Sequence, residues 1–100
     1  MPVKDIVRYE TVTAGPTATG LTTTVGTPPI LPQAAEIVVE GAAIRYRVDG
    51  GAPAANEGVP VGVGGVITLV QRDELVFFRA TKRDEADATL RVVQGLTYIP

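Results

Sequence analysis

The strongest constraint on this chain is how often its backbone is interrupted. Eleven glycines and 8 prolines are spread through 100 residues, and no stretch shows apolar residues recurring at helical spacing. The runs between the interruptions alternate instead. IRYRVDG, residues 44–50, sets Ile44, Tyr46 and Val48 against Arg45 and Arg47, which is the period of a half-buried strand. AEIVVE ends three residues earlier, and the short link 41–43 predicts a tight antiparallel hairpin with it.

Further strands are expected on the same grounds. Residues 66–70 follow a loop over 49–60. LVFFRATK is expected to turn Val76, Phe78 and Ala80 inward, and ATLRVVQG to turn Ala88, Leu90 and Val92 inward, with KRDEAD as the hairpin tip between them. Residues 5–13, DIVRYETVT, place Ile6, Arg8, Glu10 and Val12 on one side and Val7, Tyr9, Thr11 and Thr13 on the other, which reads as an edge strand or an extended arm. Four prolines between 14 and 33 forbid a central strand over most of that segment, although 21–25 can still pair. Six or seven short strands with frequent turns make an all-β antiparallel sandwich. The chain reads as one domain, with residues 1–33 an arm or edge strand with its Thr/Gly/Pro-rich segment and 34–100 the sandwich core.

Composition sets the limits of function. With 45% hydrophobic residues and 20% charged, the chain is outside the disordered range and large enough for a single core. A net charge of -2 argues against nucleic acid and against an anionic membrane surface, both of which call for clustered Lys and Arg. The N-terminus lacks the apolar run of a secretory signal, and the uncharged run from Thr11 to Ala35 is too rich in Thr, Gly and Pro for a membrane helix. The expectation is therefore a soluble protein. The absence of cysteine leaves the redox compartment unread.

There is no His, Cys, Ser or Trp in the chain. Serine and cysteine nucleophiles, histidine bases and the usual zinc ligands are therefore excluded, and no enzyme, cofactor or metal is expected. Asp73 and Glu74 are adjacent and read as a solvated turn rather than a catalytic pair. Asp84, Glu85 and Asp87 invite a calcium reading but lack the alternating ligand spacing, so an exposed tip is preferred. Gly62, Gly64 and Gly65 lack the Lys and Ser or Thr of a phosphate loop and read as a loop and bulge before a strand. Arg45, Arg47, Arg79 and Arg91 fall on outward positions. They are either a contact surface or solvated partners for Glu36 and Glu40.

IRYRVDGGAP resembles the I-R-Y-x-x-D-G-x-x-P hairpin of small immunoglobulin-like β-sandwich modules, including those appended to chitobiase-type glycosidases. A closer resemblance is to short tailed-bacteriophage virion proteins. It rests on GLT at 20–22, VEGAAIRYRVDG at 39–50, FRA at 78–80 and ATLRV at 88–92, in that order. The chain departs from that pattern in loops: GGAPAA stands where a Gly-Thr-x-Pro-Thr segment is usual, Gly58-Val59 where Gly-His is usual, and Gly64-Gly65 where a Gly-Asp turn is usual.

The resemblance implies an immunoglobulin-like sandwich with an extended N-terminal arm, and a non-enzymatic structural protein of a phage particle. It would be made in the host cytoplasm and carried on the capsid surface. A capsid decoration protein that binds and stabilises the head is the first expectation. Its partners would be the major capsid protein, other virion proteins and its own copies in a homo-oligomer. The candidate capsid or subunit contacts are Val7, Tyr9, Arg45, Arg47, Glu57, Arg79 and Arg91. The alternative is a carbohydrate-binding or adhesion module of a head or tail fibre, for which Tyr9 and Tyr98 are the candidate sugar-stacking rings.

Overall fold

A computed structural model describes residues 2–54 and 56–99. It contains β1 (Val3–Ala14), β2 (Ala34–Glu40), β3 (Ile44–Arg47), β4 (Val59–Val61), β5 (Val66–Leu69), a short helix α1 (Arg72–Phe77), β6 (Arg79–Lys82) and β7 (Ala88–Tyr98). The strands form two antiparallel sheets, a four-stranded one in the order β1-β7-β2-β5 and a three-stranded one in the order β4-β3-β6. The fold is the expected small all-β sandwich. In immunoglobulin topology the seven strands would divide as 1, 2, 4 and 5 against 3, 6 and 7. Here the β2–β5 and β3–β6 pairings keep that plan, while β4 and β7 have each joined the opposite sheet.

The core lies between the sheets and is made by alternation. Ala35, Ile37 and Val39 of β2, Ile67 and Leu69 of β5, and Ala88, Leu90 and Val92 of β7 are buried. Ile44 and Ala80 meet them from the smaller sheet, and Leu75 and Phe78 belong to the same buried cluster. The Phe78 ring stacks on Tyr46 with centroids 5.7 Å apart, a contact that adds to simple burial.

Several expected elements are built differently. Residues 41–43 do not close a hairpin: β2 pairs with β5 and β7, β3 pairs with β4 and β6, and the link carries the chain from one layer to the other. Gly41, at φ +82°, supplies the left-handed backbone that this corner needs. KRDEAD likewise passes between layers, from β6 to β7, rather than capping a hairpin. The stretch expected as one strand, LVFFRATK, divides into the last residues of α1 and then β6. Phe78 and Ala80 do point inward, but Val76, on the helix, is 37% exposed. Val48 is exposed as well, because β3 ends at Arg47.

Asp73 and Glu74 occupy the first turn of α1 rather than a turn between strands. Glu74 Oε1 accepts from the N–H groups of Val70 (2.7 Å) and Gln71 (3.2 Å), satisfying donors that the start of a helix leaves without intrahelical partners.

Residues 3–14 form a full strand of the sandwich. β1 runs antiparallel to β7 from Val3 opposite Tyr98 to Ala14 opposite Ala88, with one irregularity between Ile6 and Arg8. Residues 15–33 then return over the smaller sheet as an irregular strap. The strap is tied by the reciprocal backbone pair of Thr19 and Ala80 (2.9 and 2.8 Å) and by Lys82 N–H donating to Gly15 O at 3.0 Å.

Candidate interaction surface

The segments that carry the resemblance come together in space. Thr22 of GLT is held on three sides: its N–H and hydroxyl donate to the Glu10 carboxylate at 3.1 and 2.6 Å, and its carbonyl accepts from Gln94 Nε2 at 2.8 Å. Gly20 lies against FRA so closely that a Cβ there would fall 3.0 Å from Phe78 O and 2.5 Å from Arg79 Nη1. Arg72 pins the strap further along, its Nη1 donating to Thr23 O at 2.5 Å and Pro32 O at 3.0 Å. GLT and FRA are therefore two halves of one lock.

RYRVDG has a structural explanation of the same kind. Asp49 accepts from Arg47 Nε (3.0 Å) and Nη2 (2.5 Å) and from the Gly51 N–H (3.0 Å). The Arg47 hydrogen bond, helped by the Gly51 N–H, holds the Asp49 carboxyl below its ordinary value. Arg45 Nη1 reaches across to Gly58 O at 2.9 Å, fastening the two ends of the 48–58 loop. Tyr46, Arg47, Val48, Asp49, Gly58 and Val59 line a mostly apolar groove of about 290 Å³. Since the Arg47 and Asp49 charges satisfy each other, the groove offers walls rather than a reactive group.

The sequence-derived contact residues do not form a single patch. Arg47 belongs to the groove, and Glu57 is exposed on the loop beside it, paired through its backbone with Ala54. Arg79 is drawn under the strap, where its Nη1 donates to Phe78 O at 2.8 Å. Val7 sits at the irregularity in β1 and is half-buried. Tyr9 and Arg91 share the outer face of the larger sheet: Tyr9 is 74% exposed opposite Val93, and Arg91 stands opposite Thr11 and Val38. Arg91 Nε is 3.0 Å from Glu40 Oε1, which is the cross-strand pairing considered from sequence. Glu36 instead neighbours Val93 and Thr68.

That outer face is the broadest surface the sequence reading missed. Thr11, Thr13, Val38, Thr68, Thr89 and Val93 join Tyr9 and Arg91 on it, through the strand registers. Alternation hides such a face, because threonine and valine serve equally on either side of a strand.

Among the described residues no group of three or more His, Cys, Asp or Glu side chains is gathered as a metal site would need. Lys82 lies 3.9 Å from Asp87 and donates to Glu85 O at 3.0 Å, and Arg83 lies 4.0 Å from Asp84, so the KRDEAD charges are balanced locally.

Comparison with known proteins returns no match. No protein-family model fits the chain, and neither the curated proteins nor the solved structures contain one that is significantly similar.

Proposed function

We propose that the chain is a structural protein of a bacteriophage particle, a capsid decoration protein that binds the assembled head by surface complementarity and stabilises it. The observation that carries this reading is the way the resembling segments cooperate. GLT, FRA and the strand that begins ATLRV are held together by the Thr19–Ala80 bridge and the Thr22–Gln94 hydrogen bond. The resemblance thus follows a packed unit rather than scattered similarity. A broad Thr/Val sheet face and a charge-satisfied groove suit docking to a protein surface, and a chain without His, Cys or Ser suits a non-catalytic task.

The test is co-sedimentation of the purified protein with assembled shells lacking it. Saturable, stoichiometric binding and a raised unfolding temperature of the shell are expected, and Tyr9→Lys together with Arg91→Glu should weaken binding at least tenfold. No co-sedimentation with shells from its source phage would reject the reading. Glycan binding that disappears with Tyr9→Ala would support the carbohydrate-module alternative instead.

A further inference from the structure

Two sheets have four edges, and three of them are guarded. β1 carries Lys4, Asp5, Arg8 and Glu10, an irregular register at Ile6/Arg8, and Asp5 at φ +54°, all of which discourage another strand from adding. β4 is three residues long with Pro60, which has no N–H, at its centre. β6 is covered by the strap through Thr19 and Gly15. β5 has no such protection.

The hydrogen bonding of β5 shows which groups it leaves open. Val39 N–H donates to Gly65 O at 3.0 Å, and the register continues as Val38–Val66, Ile37–Ile67, Glu36–Thr68 and Ala35–Leu69. Alternation in an antiparallel ladder then gives Ile67 and Leu69 the bonds to β2 and turns the N–H and C=O of Val66 and Thr68 away from it. Among the described residues no backbone group of another segment donates to or accepts from these groups. The chain from Gly58 to Val70 has no charged residue, so a second copy of β5 meets no like charge. Val66 is 56% exposed while Ile67 is buried in its own core.

We propose that β5 is a self-pairing edge. Two copies join antiparallel about a twofold axis at Ile67, and the two larger sheets continue as one of twice the width. Val66 of one copy and Thr68 of the other exchange both ladder bonds, and the axis repeats the exchange. On the outer face the same two residues form a β-branched cross-strand pair. The contact is short, which makes it a weak association in the class of small interfaces. This goes beyond the particle reading, since it operates between free copies without a shell.

Sedimentation equilibrium of the purified protein tests it. At about 1 mM, where a pair of millimolar affinity is substantially populated, the average mass should rise from 10.4 kDa toward twice that value. Thr68→Pro removes an outward N–H and no bond to β2, and Val66→Lys places charges on both sides of the axis. Each should hold the chain monomeric with a thermal midpoint near that of the parent; if Thr68→Pro fails to fold, Val66→Lys decides. Tyr9→Lys, at the opposite edge, should leave the assembly unchanged. A parent that is monomeric at about 1 mM, a Val66→Lys variant that assembles like the parent, or dissociation by Tyr9→Lys alone would each overturn the proposal. Because no shell is used, failure here and failure of the particle reading are separately visible.

Discussion

Gly95 shows how closely β1 lies on β7. A Cβ at this position would fall 2.3 Å from Lys4 O and 2.7 Å from Val3 Cγ1, so the strand can approach only where the side chain is missing. Gly95→Ala should destabilise by about 1–3 kcal/mol, the ordinary cost of overpacking a tight site, and chemical denaturation would measure it. Asp49 makes a second prediction, about pH. Its folded pKa lies below the ordinary 3.8 because of Arg47 and the Gly51 N–H. The stabilisation is therefore present above that ordinary value and is lost as pH falls through the lower folded value. Thermal midpoints of the parent and Asp49→Asn should differ near neutral pH and converge in strong acid; a gap that persists there would mean that the carboxylate's charge is not what stabilises the turn.

At the scale of elements, α1 and the strap are the informative pieces. LVFF reads as strand by its apolar, β-favouring residues, but Glu74 three residues after Gln71 was the available helix signal. It is weak because Gln is outside the strongly preferred N-cap set. Glu74→Ala should cost about 1 kcal/mol, in line with losing a cap, and a urea titration would show it as a lower midpoint with unchanged slope. Arg72 was not singled out from sequence at all, since nothing local tells an exposed arginine from one that reaches carbonyls at 23 and 32. Arg72→Ala should free the strap: amide exchange should quicken across residues 23–32 while β7 amides stay protected. Uniform protection in the variant would mean that Arg72 does not hold the strap.

Across the whole molecule, the standing of residues 1–14 separates an arm from a strand. An appendage can be removed without loss of the sandwich. β1 instead lies along the length of β7 and buries Val3 and Ala14, so its deletion opens a central strand and the core beneath it. A chain starting at residue 15 should lose cooperative thermal unfolding; a sharp, parent-like transition would make β1 an appendage after all. The links at 41–43 and 83–87 belong to this scale too. Their lengths suit hairpins as well as layer crossings, so local spacing cannot say which sheet receives the next strand.

The sequence by itself determined the all-β class, the inward setting of Ile44, Phe78 and Ala80 and of Ala88, Leu90 and Val92 in β7, and the absence of the commonest catalytic groups. These follow from alternation and composition, which are local properties. Tertiary structure decided which strands pair, which arginines serve the fold, and which edge is left open. Arg79 under the strap, Arg47 locked to Asp49 and Arg91 beside Glu40 have the same outward phase in sequence and different partners in space. Those partners come from pairings between residues as far apart as Thr11 and Arg91, and no local period encodes a contact at that separation.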